Sequence, residues 1–167
     1  FINETGLIKY LKYNDSLLRP YFMIINNFDL LSGSNKTRTP FRYNLYHRNF
    51  IHVIDGNIKI KLSPPNSSKY LNEIKDYENY EFRTDIDVWN NDDEIFNKIK
   101  FLEVNLIKNQ IIYIPSYWWY SIEYDKKTLL INYSYHTYMS LLSVSPNILL
   151  YYLQAQNIKV KKYRKYI

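Results

Sequence analysis

The sequence predicts a mainly β domain, closed on itself or folded as two sheets, with a few short flanking helices. Three observations predict it. Short apolar runs recur between turn-forming residues, and some alternate strictly, as in Ile58-Lys59-Ile60-Lys61-Leu62. Helix-like stretches are few and short. Many short strands with few helices is the pattern of closed barrels and jelly rolls.

Taken in order, Gly6 to Tyr13 reads as a short helix or a lead-in. Tyr21 to Ile25, bounded by Pro20 and Asn26-Asn27, reads as a buried strand, and Leu31 to Thr39 as an exposed turn-rich loop. Phe41 to Tyr46 and Asn49 to Ile54 read as strands. Asp55-Gly56 predicts a hairpin, because this pair readily takes the positive φ of a two-residue turn. Ile58 to Leu62 follows as a half-buried strand, ended by Pro64-Pro65, which cannot donate to a ladder. Residues 69–100 are polar and acidic and read as a long connection with a short helix near Asp93 to Lys98. Phe101 to Leu106, Gln110 to Ile114, Trp118 to Tyr124 and Thr128 to Tyr135 are four further strands. Asn147 to Gln156 reads as a helix with Ser145-Pro146 at its start.

The chain has 167 residues, enough for one domain with a real core, and 46% of them are hydrophobic. It has no cysteine, which excludes disulfides, zinc knuckles and thiol catalysis. No apolar run approaches the roughly 20 residues that span a bilayer. Tyrosine is abundant at 19 residues while glycine falls to 3 and alanine to Ala155, a bias toward A/T-rich codons. The chain opens on Phe1, without an initiator Met or a signal-like segment, and is expected to be trimmed or a segment of something longer. Five of the six net positive charges lie in the acid-free tail Ile158 to Ile167, on Lys159, Lys161, Lys162, Arg164 and Lys165. The expected organisation is a single domain over residues 1–157 and a basic tail over 158–167.

Three blocks resemble the JmjC and cupin-like 2-oxoglutarate oxygenases, particularly the asparaginyl hydroxylase branch. The first is Thr39-Pro40-Phe41-Arg42-Tyr43-Asn44, continuing through Asn49 to Gly56 and Leu62-Ser63-Pro64-Pro65. The family writes these as T-P-x-H-x-D, N-x-x-x-Q-x-x-G-x-K and L-x-P-P. The second is Asp85-Ile86-Asp87-Val88-Trp89-Asn90. The third is Ile114-Pro115-Ser116-Tyr117-Trp118-Trp119-Tyr120, with Asn132 in the next strand, where the family writes I-P-x-Y-W-W-H and then its own asparagine. The resemblance covers residues 20–137 and implies a double-stranded β-helix, the cupin or jelly-roll barrel.

The resemblance also implies an Fe(II) held by two histidines and a carboxylate. The first His and the Asp, two residues apart, share one face of a strand. On this chain those positions fall on Arg42, Asn44 and Tyr120, and the lysine that anchors 2-oxoglutarate falls on Ile58. Arg42 has no lone pair to offer a metal. Asn44 is a poor ligand, and Tyr120 would be a lone one. Lys59 and Lys61 point to the other face if Ile58 points inward. The stretch from Arg42 to Asn49 is one residue longer than the pattern, but sliding the register selects Tyr43 and Leu45, which do not restore the ligands.

His47, His52 and His136 read as surface or strand-packing histidines, and Trp118 and Trp119 as core residues rather than a base-stacking platform. The acidic set Asp85, Asp87, Asp92, Asp93 and Glu94 reads as a solvated connection. If Arg42, Asn44 and Tyr120 converge, the Tyr120 hydroxyl and the Asn44 carbonyl can satisfy the guanidinium as a structural plug, or Arg42 can receive a small anion. The expected protein is therefore a non-catalytic module without a cofactor. It would be soluble in the cytoplasm or a virion of an AT-rich large DNA virus, and would act through protein partners or self-assembly. Two alternatives stand beside it: an oxygenase with unorthodox ligands, and a nucleic-acid-associated protein acting through the basic tail.

Overall fold

The computed structural model describes residues 8–90 and 98–164. The elements in chain order are α1 (Ile8–Leu18), β1 (Met23–Gly33), β2 (Arg42–Tyr43), β3 (Arg48–Ser63), a 3-10 turn (Pro65–Tyr70), β4 (Glu73–Asp76), β5 (Glu81–Thr84), β6 (Leu102–Ile107), β7 (Ile111–Ile114), β8 (Trp119–Thr137) and α2 (Tyr138–Arg164). All strand pairings are antiparallel, within one curled eight-stranded sheet. The expected mainly β barrel with a few flanking helices is the observed fold class.

Two long strands make the curl. β3 and β8 pair from Arg48↔Tyr135 to Ser63↔Trp119, with register shifts at Val53, Asp55 and Asn57. At these shifts both strands bend, so each contributes one half to either side of the barrel. The first half of β3 also pairs with β7, and its second half with β6. The second half of β8 carries β1 on its outer edge, from Met23↔Thr137 to Gly33↔Thr128. Its first half carries β2, through Arg42↔Tyr120, and the β4–β5 hairpin continues from β2.

Alternation along these strands fills the interior. Ile51, Val53, Ile58, Ile60 and Leu62 from β3 pack with Tyr120, Ile122, Tyr124 and Leu130 from β8 in one buried cluster. A second cluster on the outer face joins Phe41, Leu71, Val88 and Ile99 around Trp119, which is 0% exposed and whose Nε1 donates to Ser68 Oγ at 2.8 Å. Trp118 is half-buried against the interior cluster. α1 is tied down by polar contacts. Asp15 accepts a hydrogen bond from Tyr135 at 2.9 Å and pairs with Arg19.

Several local expectations are corrected. Tyr21 and Phe22 are 93% and 83% exposed, not buried, and β1 starts at Met23 as an outer strand that runs to Gly33 through the start of the expected loop. Of Phe41 to Tyr46 only Arg42–Tyr43 is strand. Asp55-Gly56 does not reverse the chain. Gly56 has φ +83°, as the turn reading required, but it spends it on the bulge that bends β3. Trp118 to Tyr124 and Thr128 to Tyr135 join in the single strand β8. The connection 69–100 contains the β4–β5 hairpin, and the helix expected near Asp93 to Lys98 lies, up to residue 97, outside the described residues.

The C-terminal helix begins at Tyr138 rather than at Pro146, which sits inside it. Proline removes the N–H that would bond the Leu142 carbonyl, and the Ser145 hydroxyl donates to that carbonyl at 2.8 Å instead. Among the described residues no helix is long and apolar enough to cross a membrane.

Gly56 tests the bend. A Cβ there would lie 2.5 Å from Thr128 Oγ1 and 2.8 Å from the Lys127 carbonyl. With the positive φ added, Gly56→Ala is expected to cost about 1–3 kcal/mol. Urea unfolding measures it; an unchanged midpoint would mean that β3 does not bend there.

Candidate functional site

The site is assembled on β2, β8 and β1. The chain from Lys36 to Tyr43 runs alongside the first half of β8: Tyr124 N–H donates to the Thr37 carbonyl at 2.9 Å, and Thr39 N–H to the Ile122 carbonyl at 2.9 Å. Arg38 and Glu123 lock this register with a 2.7 Å ion pair. Arg42 thereby comes directly opposite Tyr120. The turn Pro115–Trp118, with Tyr117 at φ +62°, holds the following segment. Tyr117 N–H donates to the Asn44 carbonyl at 3.0 Å, and the Ser116 hydroxyl to the Tyr46 carbonyl.

The result is a cavity of about 330 Å³ lined by Arg42, Asn44, Tyr120 and Asn132, together with Asp29, Glu81, Tyr43, Tyr46, Asn79 and Tyr80. The structure thus brings together four of the five positions singled out inside the barrel. Ile58 is not among them. It is buried in the interior cluster and opens toward a different cavity, beside Lys36, Lys59 and Tyr124. Of the alternative register, Tyr43 reaches the cavity rim while Leu45 is buried in a separate cluster with Phe82 and Val144.

Arg42 is the charged centre. Its Cζ lies 5.8 Å from the Tyr120 ring centroid, within cation–π range, and Nη1 is 3.5 Å from Glu81 Oε1. Burial opposes its charge, but Tyr120 and Glu81 together hold its pKa above the ordinary guanidinium value. Burial also raises the hydroxyl pKa of Tyr43, where Glu73 adds to it, of Tyr46, where Asp29 does, and of Tyr80, which reaches about 12. These three phenols are neutral at physiological pH.

Tyr120 presents its ring to Arg42, the guanidinium pairs with Glu81, and the Asn44 Oδ1 has no hydrogen-bond partner among the described residues. Sequence reasoning missed Glu81, Asp29 and Tyr80. Glu81 sits on a four-residue strand whose only signal is one alternating Phe82-Arg83-Thr84 step, and nothing in the sequence separates it from the neighbouring acids.

The donor set does not suit the iron that the resemblance implies. Arg42 brings a fixed positive charge to the position of a ligand, and Asn44 is neutral. Among the described residues no three His, Cys, Asp or Glu side chains cluster around a common point. Asp85 and Asp87 belong to the outer connection, and Asp92, Asp93 and Glu94 lie outside the described residues. So do the side chains of Lys159, Lys161, Lys162, Arg164 and Lys165.

Two of the three histidines make ring or polar contacts. His136 lies 4.7 Å from the Tyr46 ring and 3.2 Å from the Ser140 hydroxyl. His52 is 3.3 Å from Asn14 Nδ2. His47 is exposed.

Residues 16–140 match the cupin-like domain family. The chain belongs to that family. Similar solved structures include the hydroquinone 1,2-dioxygenase of Sphingomonas sp. TTNP3 with 4-hydroxybenzoate bound, at 13% identity over 71% of this chain and 67% of that one, TM-score 0.46. The cupin domain of Drosophila melanogaster CENP-C aligns at 13% identity over 63% of this chain, TM-score 0.40, and the match spans only 57% of that domain's length. A cupin superfamily protein of Desulfitobacterium hafniense aligns at 8% identity over 66% of each chain, TM-score 0.39. Among curated proteins no sequence matches. A fold does not by itself fix a function, so the chemistry must be argued from the site.

Burial lowers the pKa of His136, aided by the nearby His47, and burial lowers that of His52, both from 6.5. The unfolded chain therefore binds more protons than the native one below that value. Stability should be complete above about pH 6.5 and decline as pH falls through the depressed native values. Urea midpoints at about pH 7.5 and about pH 5.5 measure this, and His136→Gln should flatten part of the slope. A midpoint that rises on acidification would reverse the assignment.

Proposed function

We propose that this cupin-like domain is a degenerate relative of the JmjC-type, asparaginyl hydroxylase-like oxygenases that carries out no iron chemistry and works as a structural or protein-interaction module. One observation carries the reading. The position of the first metal ligand holds Arg42, whose guanidinium is ion-paired to Glu81 and set against Tyr120, the position of the last ligand. A cation seated between those positions repels a second cation. The cosubstrate anchor is likewise replaced, by the buried Ile58.

The surface supports an interaction role. Met23 pairs with Thr137, which puts Tyr21 and Phe22 near the first turn of α2, where Tyr138 and Met139 are 66% and 75% exposed. Leu142, Leu149 and Leu153 continue the exposed apolar side chains along the helix. Contiguous exposed apolar surface of this kind marks sites of association. The A/T-codon bias of the sequence fits an AT-rich genome, that of a large DNA virus or equally of a protist or parasite.

The test is turnover and metal content. The protein incubated with Fe(II), ascorbate and 2-oxoglutarate should release no succinate and retain no stoichiometric iron. The triple variant Arg42→His, Asn44→Asp, Tyr120→His should gain metal affinity under the same conditions. Stoichiometric iron and succinate from the unaltered protein would overturn the reading. The association surface is tested separately. Leu142→Glu with Leu149→Glu should leave stability within about 0.5 kcal/mol while abolishing self-association or partner crosslinks. Unchanged association would remove α2 from the interface.

A further inference from the structure

α2 carries two apolar faces, and the barrel covers one of them. Val144 is buried with Leu45 and Phe82, and Ile148 packs against the same cluster. The Tyr77 hydroxyl donates to Asn147 Oδ1 at 3.3 Å, and the Tyr151 ring lies 5.8 Å from that of Tyr80. These four positions follow the i, i+3, i+4, i+7 spacing of a single helix face. The second face is Met139, Leu142, Pro146, Leu149 and Leu153, spaced by three and four residues like the a and d positions of a heptad. At 3.6 residues per turn it lies about 180° round the helix from the first. Met139, Leu142, Leu149 and Leu153 are each more than half exposed, and Pro146 is exposed with them. After Gln156 the sequence returns to the same spacing at Val160 and Tyr163.

We propose that this outer face is the interface with a second copy of the chain, formed by antiparallel pairing of the two α2 helices about a two-fold axis near Leu149. The inference deepens the interaction-module reading and rests on it. Spacing, area and charge define the occupant. An a/d seam is completed by another helix whose side chains interdigitate with it. The α2 of a second copy offers the same seam, as a self-complementary two-fold interface requires. With Tyr21, Phe22, Tyr138 and Tyr152 beside it, the face exposes roughly 1,000 Å², against the about 800 Å² that each partner of a stable complex buries. Charge sets the direction. The last ten residues carry five cations and no acid. Parallel helices would hold two such tails about 8–10 Å apart, a distance over which salt screens poorly. Antiparallel helices crossing at Leu149 hold the two copies of Lys162 about 40 Å apart. The C-terminal half of each helix then runs past Tyr138, Phe22 and Tyr21 of the other copy, the exposed aromatic end of the face.

The experiment uses the full chain, whose lack of cysteine lets single introduced thiols report the geometry. Sedimentation equilibrium at micromolar concentrations should give twice the 20.4 kDa chain mass. Leu149→Glu, which sets two carboxylates against each other at the axis, should raise the dimer dissociation constant tenfold or more, with circular dichroism confirming that the variant folds. Under mild oxidation Leu149→Cys should give a disulfide-linked dimer, because the axis brings its two copies together. Met139→Cys should not, because antiparallel pairing holds its two copies about 30 Å apart. Crosslinking at both positions would mean parallel pairing and would overturn the proposal. So would crosslinking at neither, or a monomer at every concentration, which would give the face to a different partner. Mass and crosslinks are read without iron or 2-oxoglutarate, so these failures leave the iron test untouched. Succinate release in that test would overturn the non-catalytic reading and leave the mass unchanged.

Discussion

The structure depends on the full-length pairing of β3 with β8. These two strands are the only elements that reach both halves of the barrel among the described residues, and every other strand except β4 and β5 pairs directly with one of them. Their common bend at Val53–Asn57 and Asp125–Leu129 turns a ribbon into a barrel. It also fixes which β8 residue meets which neighbour. With Ser63 opposite Trp119 and Leu62 opposite Tyr120, alternation sends Trp119 to the outer cluster and Tyr120 to the interior. The site is a consequence of that register. A slip of one residue would exchange the two faces, placing an indole in the cavity and a phenol under the outer connection.

The barrel explains why a cavity stands among these side chains rather than a collapsed core. Its walls are backbone ladders at fixed spacing, so β2, β8 and β1 cannot close up to fill it. Arg42 finds Glu81 because β2 pairs with β5, which sets Arg42 opposite Arg83 and Tyr43 opposite Phe82, one residue from Glu81. The amide oxygens of Asn44 and Asn132 have no such neighbour among the described residues. The lining of the cavity is therefore polar and only partly paired.

How much of this is legible in the sequence follows from the range of the interactions involved. Strands with clean alternation, such as Ile58 to Leu62, declare themselves because burial acts on each residue separately. The same holds for Ile114 to Tyr120, whose motif locates the barrel strand by resemblance. Asp55-Gly56 is misread because the local signal is correct and its use is not. The positive φ is there, yet whether it closes a hairpin or forms a bulge depends on the partner strand seventy residues away. Pro146 is misread as a helix start because the rescue by Ser145 is a side-chain choice that Ser-Pro alone does not dictate. Tyr21 and Phe22 are misread as buried because composition reports hydrophobicity, not whether anything lies above it.

The candidate site divides along the same line. Arg42, Asn44, Tyr120 and Asn132 were locatable because the motifs index positions in a known topology. Their partners were not, since Glu81, Asp29 and Tyr80 come from strands and turns that the motifs do not index. Yet the partners determine the chemistry. Arg42 alone reads as an anion receptor, as a guanidinium in a pocket usually does. Set beside two carboxylates, it becomes one member of a lining whose charges balance. One motif position thus indexes a place in the fold, and only the side chains that the fold brings to it define the chemistry there.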